Sequence, residues 1–252
     1  MPRGYHTNRN MAIRYHYSEA AGQEAIVNSE TPLFYPLHMH MRHWTLGLVR
    51  RGAAELERPD GTRRMETGGL FTVPPRMPHS LRIAAHSELL VLCFAEECAL
   101  RRNCGLLSAI HRFFVGQEDE LVERMIEQMS RQAIVRQERQ AGGAIDRLAQ
   151  RLVAQPEEAL SVVEMARIAC ASPWHFLRRF QAETGMTPHA FLLNCRIRRL
   201  RTLLRGRVAA VDAAFLLGFA DQSHMHKLFK LHHNLTPRQF VLASDRLDEP
   251  IC

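Results

Sequence analysis

The 252-residue chain has no apolar run approaching the length of a membrane-crossing helix, which excludes a helical span. Its basic start, MPRGYHTNRNMAIRYHY, carries no apolar stretch of the kind found in a secretion signal, so the expected location is the cytoplasm. The six cysteines, at 93, 98, 104, 170, 195 and 252, include no CxxC pair. Neither a cysteine zinc site nor a disulfide framework is therefore expected, and the thiols are read as reduced. Cys93, inside the run LLVLCF, reads as core. Lysine is nearly missing, 2 against 31 arginines, which bears on genome composition rather than mechanism.

What is present describes a globular chain: 46% hydrophobic and 23% charged residues, long enough for two domains with a core each. The net charge of +7 is unevenly placed. Residues 1–140 hold 18 Lys/Arg against 16 Asp/Glu, whereas residues 160–240 hold 12 against 4. A positive field confined to one end favours a polyanion as partner.

That basic end repeats itself at a spacing of 49 residues. ASPWHFLRRFQAETGMTPHAF (171–191) aligns with ADQSHMHKLFKLHHNLTPRQF (220–240), pairing His175 with His224, Phe180 with Phe229, Gly185 with Asn234, and Thr187-Pro188 with Thr236-Pro237. Upstream of the turn the spacing is 48, with Ala166 matching Ala214. Ser161 and Glu164 form a capping box for a helix over 161–169, and Ser172-Pro173 starts the next. Phe176 and Phe180 bury its inner face and leave Trp174, Leu177, Arg178 and Gln181 outside. In the second copy Asp221 is the cap, with Met225, Leu228 and Phe229 inward and Gln222, Ser223, His226 and Lys227 outward. Gly185 and Asn234 stand where a left-handed residue ends each helix. Two helix-turn-helix units, 161–184 and 209–232, joined by the helix of FLLNCRIRRLRTLLR, have the shape and charge to enter successive major grooves of duplex DNA.

Between 31 and 95 the pattern changes to short alternating runs separated by RG, PDG, TGG and PPRMP, the signature of an antiparallel barrel or sandwich. Within it, LHMHMRHW and GGLFTVPPRMPHS resemble the two sequence motifs of a cupin. By that resemblance His38, His40 and His79 match three metal-ligand positions. The fourth, normally Glu, falls at Thr45, for which His43 could stand in. The reading adopted is that His38, His40, Trp44 and His79 line the pocket of an organic effector, with no metal. The alternative is a metal-responsive regulator using His38, His40 and His79, or a metal-dependent cupin enzyme with a basic appendage. Segment 118–153 reads as helices with Leu121, Val122, Met125, Ile126 and Met129 as an apolar stripe.

Over roughly 141–243 the chain resembles the C-terminal DNA-binding domain of AraC/XylS-type transcription regulators, most specifically in SPWHFLRRFQAETGMTP and GFADQSHMHKLFK with NLTPRQF. It departs from the family pattern at Cys170 and Asn234, usually Gly, and at Arg179, usually apolar. The resemblance implies two domains: an all-β cupin-like barrel followed by helices (1–140, effector binding and dimerisation) and an all-α domain with two helix-turn-helix units (141–252). Base reading is implied at Trp174, Leu177, Arg178, Gln181, Gln222, Ser223, His226 and Lys227. Arg196, Arg198, Arg199 and Arg201 are expected to contact phosphates. No catalytic residue or cofactor is expected. The implied partners are duplex DNA, a small-molecule effector, a second copy of the chain paired through the stripe, and RNA polymerase.

Overall fold

In a computed structural model of the chain, the described residues are 12–18, 23–96 and 142–246. The apolar stripe of 121–129, together with Cys98, Cys104 and Cys252, lies outside them. The N-terminal part consists of β1 (Ile13–Ser18), β2 (Gln23–Ser29), β3 (Leu33–His38), β4 (His43–Arg51), β5 (Ala53–Arg58), β6 (Gly61–Glu66), β7 (Leu70–Val73), β8 (His79–Ile83) and β9 (Glu88–Ala95). Each run expected to be a strand is one. The sequence reading started at residue 31 and so missed β1 and β2, whose alternation is carried partly by His16, Glu24 and Asn28.

One sheet has the order β10-β1-β2-β9-β4-β7 and the other β3-β8-β5-β6, where β10 is Ser244–Arg246. Their facing sides share a core: Val49, Phe71, Leu89 and Val91 from the first meet Leu56, Met65, Leu81 and Ile83 from the second. Gly47 makes this packing feasible, since a Cβ there would sit 2.1 Å from the Phe71 ring. The strands β4 and β9 are buried on both faces, because Trp44, Leu46, Leu90, Leu92 and Phe94 on the other side are also inaccessible. That is why LLVLCF reads as a continuous apolar run.

The C-terminal part runs α1 (Ala144–Ala154), α2 (Val162–Ile168), α3 (Pro173–Thr184), α4 (Pro188–Arg205), α5 (Ala210–Leu216), α6 (Gln222–His233) and α7 (Pro237–Leu242). The expected end signals are all used. Ser161 and Glu164 form the capping box of α2, Ser172 caps α3, and Asp221 caps α6. Gly185 (φ 71°) and Asn234 (φ 57°) end α3 and α6 in the left-handed conformation. Thr187-Pro188 and Thr236-Pro237 start α4 and α7. Arg179 reaches Glu183 at 3.2 Å one turn on, which keeps its charge out of the core of the first unit. Cys170 takes φ 53° in the turn between α2 and α3, where the second unit has Gly218 at φ 67°.

The helical part is not free of the sheets. After α7 the chain adds β10 as a parallel edge strand beside β1, a strand unanticipated in a domain read as all helical. Phe240 of α7 meets Tyr15 of β1 with ring centroids 4.9 Å apart, and Met39 and Met41 of the barrel pack into the core of α1 to α4. Asn234 donates its side-chain amide to the Phe34 carbonyl at 3.0 Å, and Arg76 pairs with Asp146. At the centre of this joint Glu24 of β2 accepts from both Arg201 and Arg205 of α4, with the Arg205 guanidinium 3.9 Å over the Tyr17 ring.

Burial alone would raise the Glu24 pKa, but the two guanidiniums outweigh it and hold the carboxyl at about 2. A carboxylate depressed in the folded state contributes stability that is complete above its ordinary pKa of 4.5 and is lost as pH falls toward about 2. Glu24→Gln is expected to cost on the order of 3 kcal/mol at pH 7, because it leaves two buried cations with no partner charge. Urea unfolding would also show a shallower loss of stability below pH 4.5 in the variant than in the wild type, by the share that Glu24 contributes. Unaltered stability in the variant contradicts the assignment. By the same method Cys170→Gly is expected to stabilise the chain by about 1 kcal/mol, since glycine adopts a positive φ without a steric cost.

Candidate nucleic-acid interface and effector cavity

Two amphipathic helices present the polar faces expected of a reader. On α3, Phe176 and Phe180 are fully buried, whereas Trp174 is 65% exposed and Leu177, Arg178 and Gln181 also face solvent. The Arg178 guanidinium stacks over the Trp174 indole at 4.7 Å, one turn apart, which organises its planar donor fork at the surface. On α6, Met225 and Phe229 are buried, and Gln222, Ser223 and Lys227 are exposed. His226 departs from the set. It is half-buried, and its Nε2 is shielded without a hydrogen-bond partner among the described residues.

The four arginines expected on phosphates divide. Arg199 is exposed. Arg196 donates to the carbonyls of Pro156 and Gly218, both at 2.9 Å, and so ties α4 to the loop before the first unit and the turn of the second. Arg198 and Arg201 correct the expectation, because both turn toward the barrel. Positions 198, 201 and 205 lie three and four apart and share one face of α4, while 199 lies on another. Arg201 is engaged by Glu24, and Arg198 meets the His43 ring nitrogen at 3.4 Å.

Between that face and the barrel mouth lies a cavity of ≈ 330 Å³, bounded by Met39, Met41 and His43 of the barrel and by Phe191, Asn194 and Cys195 of α4. Arg198, Arg199, Arg201 and Arg205 also reach it, with Glu24 as the carboxylate in its wall. A smaller cavity of ≈ 90 Å³ lies against His38, His40, Thr45 and His79 of the barrel, and is also lined by His232 and His233 of α6. Neither the joint nor these last two histidines was found by sequence reasoning. A turn of helix ending in His-His carries no local signal of what it faces.

The three cupin-motif histidines do converge: the ring centroids of His38 and His79 are 4.2 Å apart, and His40 lies 5.1 Å and 5.5 Å from them. Strand alternation is only half the reason. β3 stops at His38, and His40 reaches the site from the segment beyond it. His38 Nδ1 donates to the Pro36 carbonyl at 2.7 Å and His79 Nδ1 to that of Met77 at 2.9 Å. Burial holds His79 at about 4, and burial first of all, with the His79 ring beside His38 and the Arg198 cation beside His40, holds the other two well below the ordinary histidine value. All three rings are therefore neutral near pH 7, with lone pairs available.

Trp44 is a second correction. It is fully buried on the far side of β4, and the parity of the strand puts Thr45, not Trp44, against the cavity. His43 is not part of the convergent group either, being turned to Arg198. Cys93 and Cys195 have burial-raised pKa values of about 11 and about 12, so both thiols stay protonated.

The comparisons with known proteins agree with this geometry. The family model of the AraC-like ligand binding domain matches residues 21–153, and that of a helix-turn-helix domain matches 165–242. The HTH-type transcriptional regulator MtrA of Neisseria gonorrhoeae is 30% identical over 94 residues, 37% of this chain and 31% of its own length. The HTH-type transcriptional activator RhaS of Escherichia coli is 39% identical over 69 residues, 27% of this chain and 25% of its own length. These matches span only about a quarter to a third of the curated relatives. The crystal structure of ToxT from Vibrio cholerae O395 superposes with a TM-score of 0.61 at 11% identity, over 88% of this chain and 98% of that one, which shows a shared fold. Two matched domains in this order make the chain a member of the AraC/XylS family, an AraC-like ligand-binding domain joined to a helix-turn-helix domain.

Proposed function

We propose that the chain is a sequence-specific DNA-binding transcription regulator controlled by a small-molecule effector, with the division between sensor and reader at the Gly142-Gly143 pair. One observation carries this reading: a duplicated helix-turn-helix unit sets two helices with buried aromatic backs and exposed polar fronts on a basic frame. Arg178 suits bidentate pairing with guanine and Gln222 with adenine, while Trp174 and Leu177 offer apolar contact to a thymine methyl. Arg199 serves the phosphate backbone. The proposed role needs no catalytic step. A homodimer paired through residues 121–129 is part of the proposal on sequence grounds alone.

The effector enters the larger cavity, where it touches sensor and reader at once. Arg198, Arg201 and Arg205 face it with Glu24 as the opposing carboxylate, an excess of positive charge that favours an acidic ligand with an apolar body. ToxT has been solved with an unsaturated fatty acid bound, which supports an acid as the ligand class. A ligand in this position shifts the population of reader arrangements through contacts made in one arrangement and not the other. A metal-responsive regulator is the second reading, favoured by the convergence of His38, His40 and His79.

Gel shifts across a salt series test the reader. On a duplex bearing the preferred sequence, Arg178→Ala is expected to lose about 1–3 kcal/mol while its affinity for random duplex holds. Arg199→Ala should weaken both alike and flatten the salt slope by about 0.9. Equal losses on both duplexes for Arg178→Ala would remove it from the base-reading set. For the sensor, thermal-shift measurements with a panel of medium-chain carboxylic acids should raise the melting temperature of the wild type and leave Arg198→Gln unmoved. Identical shifts in both proteins would place the acid elsewhere.

A further inference from the structure

We propose that the first helix-turn-helix unit is a body separate from the barrel and the second unit, and that the effector acts by re-setting this unit alone: α3 is the switched reader and α6 the anchored one. The inference rests on the regulatory reading and adds which half of the reader responds. Buried side chains divide the helical part in two. Met225, Phe229, Leu235 and Phe240 of the second unit belong to the same core as Tyr15, Leu33 and Leu81 of the barrel. Phe176, Phe180, Met186 and Phe191 of the first unit lie instead in a core of their own, with Ile145, Leu148 and Leu152 of α1. Among the described residues, Met39 and Met41 are the only barrel side chains in that second core.

The two attachments differ in kind. Strands hold the second unit: Phe240 packs on Tyr15 of β1, Asn234 donates to Phe34 of β3, and β10 extends the sheet beside β1. Loops meet the first unit. Met39 and Met41 lie between β3 and β4, while Arg76, which pairs with Asp146, and Pro78 lie between β7 and β8. Pro78 backs onto the end of α3, where a Cβ on Gly185 would sit 2.4 Å from its ring. Gly185 and Asn234 are the same position of the repeat, so one copy abuts a loop and the other is tied to a strand. Loop contacts yield at a lower free-energy cost than strands in a shared core, and unbranched methionines repack readily. The helix α4 crosses the divide: Phe191, Leu192 and Cys195 belong to the first unit's core, and Ile197, Leu200 and Leu204 to the barrel's. The ≈ 330 Å³ cavity lies at this divide. Met39, Met41, Met186, Phe191 and Cys195 in its wall all come from the first unit's core, and among the described residues none of α5, α6 or α7 lines it. Arg201 and Arg205, opposite, stand on the half of α4 fastened to the barrel by Glu24. An acid held by these arginines, with its body on the methionines, thus works between the two bodies. It selects one of two placements of α3 while α6 keeps its seat.

Hydrogen exchange of the full chain at rising urea concentrations, below the unfolding transition, tests the division without any ligand. Peptides from α3 are expected to exchange through an opening of their own, at least about 10-fold faster than those from α6, while α6 exchanges in step with β1 and β3. Phe180→Leu should speed exchange in α1 and α3 by about 10-fold and leave α6 and β3 as they were, whereas Phe229→Leu should speed α6 and β3 together. Exchange of α3 and α6 as one unit in the wild type overturns the proposal, and that comparison needs neither variant to fold. An effect of Phe180→Leu that reaches β3, or one of Phe229→Leu that stays within the second unit, overturns it as well. Saturating decanoate then tests the response, with protection expected to change in α1, α3 and the first half of α4 and to hold in α6. A change in α6 with α3 unmoved contradicts the proposal. No change anywhere counts against the acid-effector reading, and the wild-type exchange then decides the proposal. On duplexes carrying both boxes, decanoate should alter by about 10-fold the penalty of a base change in the box read by α3 and leave the other penalty as it was. Equal effects on the two boxes overturn the proposal. The exchange pattern described, on a protein with no duplex preference, would sink the regulator reading alone.

Discussion

The Glu24 carboxylate, largely shielded from water between Arg201 and Arg205, is the interaction on which the arrangement of the molecule depends. Each of the three charges would be costly to bury alone, and together they are tolerated only because β2 and α4 meet in one register. Around this pair the contacts that join the two parts become consistent. Tyr15 meets Phe240, β10 aligns beside β1, and the end of α6 reaches β3. A charge cluster of this kind resists gradual deformation. It is either made or broken, which suits an element that has to separate two states of a regulator.

The same helix that carries these arginines organises the reader. One face of α4 lies against the barrel, while Arg196 holds the loop ahead of the first unit and the turn of the second. The placement of α3 and α6 is thus tied to the element whose other side forms the wall of the ≈ 330 Å³ cavity. On the proposed function, a ligand in that cavity that moves α4 bears on both units at once. On that reading sensor and reader share a wall, so no long relay between distant sites is required.

Local backbone chemistry explains why so much of the helical part was legible in the sequence. Ser161, Ser172 and Asp221 satisfy free amides, and Gly185 and Asn234 adopt a left-handed conformation, whatever surrounds them. The copies at a spacing of 49 residues made each inference twice. The three cupin-motif histidines were found for a comparable reason, since a short motif places them on adjoining elements. What depends on partners far along the chain was not legible. Arg198 and Arg201 read like Arg199, and only the docking of α4 beside Glu24, 177 residues from Arg201, separates buried cation from surface cation. Trp44 failed through parity: β4 is apolar on both faces, and nothing local says which one meets the cavity. β10 was invisible because three residues after a helix acquire meaning only from the edge strand beside them.

The central claim is that two reading helices are held at a fixed separation on one frame and grip duplex grooves. Sequencing random duplexes enriched by the purified protein tests it most directly. The account predicts two short conserved boxes whose centres are about one helical turn, or about 10–10.5 base pairs, apart. Enrichment of a single box, or recovery of duplexes with no shared sequence at moderate ionic strength, would contradict it.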